Sequence, residues 1–138
     1  PAPGVKQSII QLLDNLALEE QSNLNQLPLL NRYSDAAQWL KLVEPLLPAT
    51  IEGMNVQELR NDNGIVQLLI CTEIDYPDEV HELEQECFIV LKGKCRCYIE
   101  DDIAELGAGD FISIPMYKHH DVRVVEPVIA VVQRINVA

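Results

Sequence analysis

The chain has 138 residues, 48% of them apolar, and a formal net charge of −12 at pH 7. This length allows one domain with a hydrophobic core but not two ordinary ones. The negative charge argues against a nucleic-acid partner, because binding a phosphate backbone needs clustered Lys and Arg. No apolar run is long enough to span a bilayer, and no basic stretch leads into an apolar one near the start. We therefore expect no membrane contact and a cytoplasmic location.

The first third of the chain, residues 1–49, has the pattern of an α-helical N-terminal arm. In SIIQLLDNL, Ser8 and Gln11 form a capping-box pattern, and apolar residues follow at helical spacing. Pro28 interrupts the next segment, which predicts a turn or a short helix there.

A further helix is predicted in SDAAQWLKLVE, with Ser34 or Asp35 as its N-cap. It should end before Pro45, since the residue preceding a proline resists helical geometry. The apolar residues at helical spacing in this segment are Trp39, Leu40 and Val43.

From about Thr50 the pattern changes to short strands, so residues 50–138 are predicted to form an all-β body. The predicted strands lie in IEGMNVQELR, GIVQLLICTEI, CFIVLKG, KCRCYIE, IAELGAGD, FISIP and VRVVEPVIAVVQRINV. Strands of this kind, with no helical segment among them, are typical of an antiparallel sandwich or barrel. Turns are expected at NDNG and at Gly93, Asp101, Asp102, Gly107, Gly109 and Pro127.

The four cysteines show no C-x-x-C spacing of a structural zinc site. Two of them, Cys95 and Cys97, lie two residues apart on a predicted strand, which is poor geometry for a disulfide. We therefore expect Cys71, Cys87, Cys95 and Cys97 to be buried free thiols that act as small apolar residues.

Two segments of the β body resemble the paired sequence motifs of the cupin superfamily. The first motif is G-x5-H-x-H-x3-4-E-x6-G and the second is G-x5-P-x-G-x2-H-x3-N. The matching residues are His81, Glu86 and Gly93 for the first motif, and Gly109, Pro115 and His120 for the second. The resemblance implies a mainly β protein with a cupin-type double-stranded β-helix, an RmlC-like jelly-roll barrel, preceded by the helical arm.

The resemblance also implies one metal ion in the mouth of the barrel, which the family holds with three histidines and a glutamate. Carried over by position, the ligands here are Glu79, His81, Glu86 and His120, with Glu79 where the family has its first histidine. Two imidazoles and two carboxylates suit zinc, manganese, iron or nickel. The motifs depart from the family pattern elsewhere too, at Glu73 and Tyr117 in place of glycines and at Arg123 or Val124 in place of the asparagine.

Strand geometry gives a separate reason to group these residues. On a strand, Glu79 and His81 project to the same face and can reach one point inside a barrel. Glu86 shares a face with Phe88 and Val90, so its carboxylate begins an inward apolar row. A carboxylate there must be paired, hydrogen-bonded or metal-bound, because a bare buried charge is costly.

Other interpretations of the same residues stay open. Glu79 also fits a solvated acidic loop, and His81 could pair only with the carboxylates around it. His119, next to His120, would point to the opposite face of a strand and lie at the rim. With two carboxylates, a divalent site would be neutral and a weaker Lewis acid than one with three histidines and one glutamate.

Two classes of function follow from these observations. The first is a metal-binding cupin that binds or converts a small molecule in its barrel; the fold does not choose the reaction, and no catalytic residue is assigned. The second is a non-catalytic sensor or interaction module without metal, which the altered motifs favour. The apolar arm, including Trp39, could pack on its own barrel or on the barrel of a partner, which would give a homodimer through the barrel and the arm. The sequence does not decide between an enzyme and a binding protein.

Overall fold

The computed structural model describes residues 27–137. The helix predicted at Ser8 lies outside the described residues. Within residues 27–137, no helix is long and apolar enough to cross a membrane.

Among the described residues, one α-helix, α1 (Ala36–Val43), precedes the sheet. It begins as predicted after Asp35, whose carboxylate accepts a hydrogen bond from the backbone N–H of Ala37 at 2.9 Å. A 3-10 turn over Glu44–Leu46, with Pro45 near its start, ends the helical segment. Residues 27–31 have no regular secondary structure, and a turn at residues 32 and 33 precedes α1, with a hydrogen bond from the N–H of Ser34 to the carbonyl of Asn31 at 2.9 Å.

Seven antiparallel strands form the rest of the described chain, in the order β1-β2-β7-β4-β5, with β3 paired to β7 and β6 paired to β4. Their bounds are β1 Met54–Asp62, β2 Ile65–Thr72, β3 Tyr76–Glu79, β4 Glu84–Ile99, β5 Asp102–Gly107, β6 Phe111–Ile114 and β7 His120–Asn136. The predicted mainly β jelly roll is confirmed.

The two long strands, β4 and β7, pair along most of their length and belong to both halves of the jelly roll. The first half of β4 and the second half of β7 join β1, β2 and β6. The second half of β4 and the first half of β7 join β3 and β5. The two halves of the jelly roll are therefore connected by β4 and β7, which bend and continue from one half into the other.

The predicted turns at Gly93 and Pro127 are wrong, because both residues lie inside these long strands. Gly93 has φ +89°, and a Cβ there would lie 2.0 Å from the carbonyl oxygen of Pro127. The strand register is irregular between Val90 and Cys95, next to this close approach. Position 93 requires a glycine because the strand bends there and its backbone contacts that of Pro127. The chain does not reverse direction at this glycine.

The central strands are apolar on both faces. The inner face lines the barrel and includes Phe88, Val90, Ala130 and Val132. Residues 27–47 cover the outer face. The covering segment and the sheet form one hydrophobic cluster, whose buried residues are Leu27, Leu30, Trp39, Val43, Leu59, Leu69, Cys71, Ile89, Leu91, Ile129 and Val131. The predicted helix therefore packs Trp39, only 1% exposed, on the sheet of its own chain. The division of the chain at residues 49 and 50 stays a prediction.

The cysteines are free thiols, as predicted, and all but Cys87 are fully buried. Burial raises the pKa of Cys95 to about 11 and that of Cys97 to about 12. These thiols are protonated at neutral pH and pack as small apolar groups.

Candidate metal centre

Two cross-strand pairs meet at one end of the barrel. Glu79, the last residue of β3, lies opposite His120, the first residue of β7. Glu86 on β4 lies opposite Arg134 near the end of β7. The two ends of β7 thus carry one histidine and one arginine to the same place, because the strand bends between them.

His81 lies in the loop between β3 and β4, so the strand predicted over residues 79–81 is wrong beyond Glu79. Its side chain nevertheless joins the cluster. The backbone carbonyl of His81 accepts a hydrogen bond from the N–H of Tyr117 at 2.8 Å, which ties this loop to the one before β7. Tyr117 has φ +67°, so it adopts the left-handed conformation that a glycine at this motif position would take.

The four predicted ligands form one compact group, with a donor atom from each lying within 4.8 Å of the others. The Oε1 atom of Glu86 is at the centre, 2.6 Å from Nε2 of His81 and 3.6 Å from Nε2 of His120. The Oε1 atom of Glu79 is 3.3 Å from Nε2 of His81 and 3.9 Å from Nε2 of His120. Glu86 and His120 are only 4% and 3% exposed.

Three of these donor atoms are buried without a hydrogen-bond partner in the described part of the protein: Nε2 of His81, Nε2 of His120 and Oε1 of Glu86. They are close together but not aligned as donors and acceptors. Buried polar atoms are normally paired, so three that converge on one point need a common partner. Two imidazole nitrogens and a carboxylate oxygen are ligands that divalent transition metals accept, so the donor set fits such an ion.

A backbone contact favours the required tautomer of His120. Its Nδ1 lies 3.3 Å from the carbonyl oxygen of Lys118, which can only accept a hydrogen bond. A proton on Nδ1 leaves the lone pair of Nε2 directed at the two carboxylates. Metal-binding histidines are commonly oriented by such a contact at the other ring nitrogen.

The charges of the cluster are strongly coupled. Burial raises the pKa of Glu86, but His120 and Arg134 lower it more, and the net shift is downward. Burial lowers the pKa of His120, but Glu86 raises it more, and the net shift is upward. Without a metal ion, the ionised carboxylate of Glu86 therefore holds a proton on His120.

Arg134 is also part of the site, although it belongs to neither sequence motif. Its Nη2 lies 3.4 Å from Oε1 of Glu79, and its Nε lies 3.4 Å from Oε1 of Glu86. The alternation of β7 could have revealed it, because Arg134 shares a face with Ala130 and Val132. An arginine that continues an inward apolar row must meet a negative charge.

The arginine changes the expected charge of the site. A divalent ion with Glu79 and Glu86 would be neutral, as the sequence predicts, but Arg134 adds one positive charge. His119 lies outside the cluster as predicted, and its exposed ring pairs with Asp78 at 2.8 Å.

A small cavity opens beside the cluster on the inner face of the sheet. Its volume is about 40 Å³. The polar residues in its wall are Thr72, Tyr76 and Glu86, and the others are Cys95 and apolar side chains. Burial raises the pKa of Tyr76, as do the charges of Glu79 and Glu86, whereas Arg134 lowers it. The cavity thus has one polar end, at the cluster, and apolar walls.

Comparison with known proteins agrees with this architecture. Residues 72–133 match the family described as Cupin domain. This match and the fold support a small protein of the cupin superfamily. No curated protein matches it.

Solved structures, among them two described as cupins, share the fold at low sequence identity. An RmlC-like cupin from Shewanella frigidimarina NCIMB 400 is 17% identical over 61% of this chain and 77% of its own, with a TM-score of 0.57. A cupin-2 domain containing protein from the same organism is 17% identical over 76% of this chain and 96% of its own, also with a TM-score of 0.57. The TT1209 protein from Thermus thermophilus is 18% identical over 68% of this chain and 93% of its own, with a TM-score of 0.61.

Proposed function

We propose that this cupin binds one divalent transition-metal ion on Glu79, His81, Glu86 and His120, and binds or converts a small molecule in its barrel. The observation that carries the proposal is the set of three buried donor atoms without hydrogen-bond partners, on His81, His120 and Glu86. Zinc, manganese, iron and nickel all accept this mixture of nitrogen and oxygen ligands. When bound, such an ion acts as a Lewis acid on an oxygen atom of the small molecule.

The residues around the ion would have separate roles. His120 is oriented by the carbonyl of Lys118, and Glu86 is the most deeply placed carboxylate. Glu79 takes the position of the family's first histidine and is held by Arg134. The apolar cavity wall excludes water next to the centre, which strengthens electrostatic interactions there.

Metal content of the purified protein tests the proposal. We expect about one transition-metal ion per chain in the parent protein, measured by elemental analysis after purification without chelator. The variants His120→Ala and Glu86→Gln should lose most of it, because each removes a convergent donor. His119→Ala is the matched control, since it removes the neighbouring exposed imidazole, and it should retain the metal. A folded parent protein that stays metal-free after incubation with zinc, manganese, iron(II) and nickel contradicts the proposal.

A second candidate is a binding or sensor module that holds no metal. The observation in its favour is that Arg134 lies within 3.4 Å of both carboxylates and supplies part of their charge compensation. With His120 protonated, the charges of Glu79 and Glu86 would be balanced by those of His120 and Arg134, and the partly exposed carboxylate of Glu84 lies 3.7 Å from Nδ1 of His81 at the edge of this ion-pair network. The elemental analysis distinguishes the two candidates directly.

Self-association and location also stay predictions. Trp39 is buried on its own sheet and is not available to a partner. A homodimer would therefore use other surfaces, for example the edge strand β1 with its exposed Val56. Light scattering after size exclusion measures the oligomeric state. A cytoplasmic location is checked by cell fractionation.

A further inference from the structure

We propose that the barrel takes a small monoanion with a short apolar tail, its anionic group beside Arg134 and the bound ion and its tail in the cavity. A short-chain monocarboxylate has this chemistry. The inference rests on the proposed metal-binding function and names the ligand class of the same site.

The cavity wall determines the tail. Apolar side chains on several strands line it, including Phe88, Ala130 and Val132. The hydroxyl of Thr72 is already used, because it donates to the carbonyl of Ile74 at 2.7 Å and accepts from the N–H of Ile74 at 3.0 Å. The wall away from the metal centre thus offers no free hydroxyl, amide or charge to a polar tail.

The size of the cavity limits the tail to a few atoms. Its volume of about 40 Å³ has space for about three water-sized groups. A branched or straight chain of about three carbon atoms fills this space, whereas a long acyl chain would need the barrel to open.

The polar end of the cavity determines the head group. Glu86 and Tyr76 line the cavity at the end where the four candidate ligands converge. Arg134 lies against Glu86 there, and its buried Nε has no hydrogen-bond partner among the described residues. A ligand oxygen at this end can meet both the ion and an unused guanidinium donor.

The charge sum favours one negative charge on the ligand. A divalent ion contributes two positive charges, Glu79 and Glu86 contribute two negative ones, and Arg134 contributes one positive one. The ion, its two carboxylate ligands and Arg134 therefore sum to about +1 before the ligand binds. The carboxylate of Glu84, 3.7 Å from Nδ1 of His81, is not one of the four candidate ligands, and its 35% exposed side chain is partly screened by water. A monoanion neutralises it, a neutral isostere leaves it uncompensated, and a dianion would place an extra charge next to apolar walls. Arg134 is thus the specificity-determining residue, because without it the site would be neutral.

Binding of matched small probes to the metal-loaded protein tests this inference. Isothermal titration calorimetry should show isobutyrate binding at least about tenfold more tightly than the neutral isostere isobutyramide, since a charge-assisted contact is involved. Succinate, a dianion, and octanoate, which has a long tail, should both bind more weakly than isobutyrate. Equal affinity for isobutyrate and isobutyramide would overturn the inference.

Variants of the arginine separate charge from structure. Arg134→Gln should weaken isobutyrate binding by at least about tenfold and leave the affinity for isobutyramide unchanged. Arg134→Lys should restore part of the difference, because it restores the charge without the planar fork. Arg123→Gln, which changes an exposed arginine on the same strand, is the matched control and should bind like the parent. Parent-like selectivity in Arg134→Gln, with metal retained, would overturn the inference.

A cavity variant tests the tail independently. Ala130→Val places two additional methyl groups in the cavity and should weaken isobutyrate binding, while formate, which has no tail, keeps its affinity. Equal weakening of both probes would contradict the placement of the tail. Metal content is measured on every sample, so a metal-loaded protein without monoanion selectivity overturns this inference alone, and a metal-free protein overturns the proposed function.

Discussion

Two neighbouring residues of β7, Gln133 and Arg134, show that buried polar groups are hydrogen-bonded differently on the two faces of the sheet. On the outer face, Gln133 accepts hydrogen bonds from the N–H of Leu30 at 2.7 Å and from the side-chain amide of Gln67 at 2.9 Å. Its own amide donates to the carbonyl of Leu30 at 3.2 Å. On the inner face, Arg134 and the candidate metal ligands leave several buried polar atoms without such partners in the part of the chain that the structure describes.

The difference separates a structural site from a functional one. Gln133 and Gln67 hold the segment at residues 27–30 against the outer face, and Gln67 also donates to the carbonyl of Pro28 at 2.9 Å. Both amide groups are uncharged, and only Oε1 of Gln67 lacks a partner among the described residues, so the pair stabilises a packing arrangement. The inner cluster is charged and incompletely paired, which is costly unless a ligand completes it. The outer face should therefore govern stability, and the inner face should govern binding.

The largest expected effect is at Gly93, where the strands shared by both faces bend. Gly93→Ala should destabilise the protein by at least about 4 kcal/mol, because the new Cβ would collide with the backbone of Pro127. Gly109→Ala is the matched control: Gly109 also has positive φ, but no atom of the described residues lies within 4 Å of a Cβ there. We expect it to cost about 1 kcal/mol in chemical denaturation. Equal losses of stability in the two variants would contradict the role of the close approach between Gly93 and the backbone of Pro127.

Trp39 tests the packing of the outer face. Trp39→Ala should lower the free energy of unfolding by about 3–5 kcal/mol, because it empties the centre of the cluster under α1. The folded fraction should keep the metal content of the parent, since Trp39 lies on the face opposite the site. Loss of metal from the folded variant would break the separation of the two faces.

Gln133 tests the role of the outer face in stability, with a smaller expected loss than Trp39. Gln133→Leu should cost about 1–3 kcal/mol of stability, because both backbone groups of Leu30 lose their side-chain partner. Gln85→Leu, at an exposed position of β4, should change stability by less than about 0.5 kcal/mol. Neither variant should alter metal content. Thermal and urea unfolding, together with elemental analysis, check both statements.

The smallest effect is expected at the cysteines, which lie on both faces. Burial raises the pKa of Cys87 and Cys95 to about 11, so at pH 8 about one thiol in a thousand is ionised. Since the thiolate is the reactive form, a thiol-labelling reagent should react slowly with the native protein and quickly with all four cysteines in denaturant. Rapid labelling of Cys95 in the native state would show that the barrel wall opens to solvent.

Much of the fold could be predicted because it follows from local patterns. The N-cap at Asp35, the strand alternation and the NDNG hairpin each depend on a few adjacent residues. The bend at Gly93 could not be predicted, because its cause is the backbone of Pro127 more than thirty residues away. A glycine alone does not tell a turn from a strand that bends around another.

The sequence predicted those residues of the candidate site that occupy positions in the two motifs. The four residues predicted as ligands do lie together, although His81 reaches the group from a loop. Arg134 was missed because it belongs to no motif and becomes significant only when β7 is placed beside β4. Its charge alters the expected electrostatics of the centre, which shows that a ligand set alone does not define a metal site.

The most direct measurement is the position of the ion in crystals grown with zinc, located by anomalous scattering. We predict a single strong peak about 2.0–2.2 Å from Nε2 of His81, Nε2 of His120 and a carboxylate oxygen of Glu86. Arg134 should lie against the carboxylates outside the ligand shell. A well-ordered barrel with no peak at this point, in which His81 and Glu86 are hydrogen-bonded to each other, would contradict the metal centre.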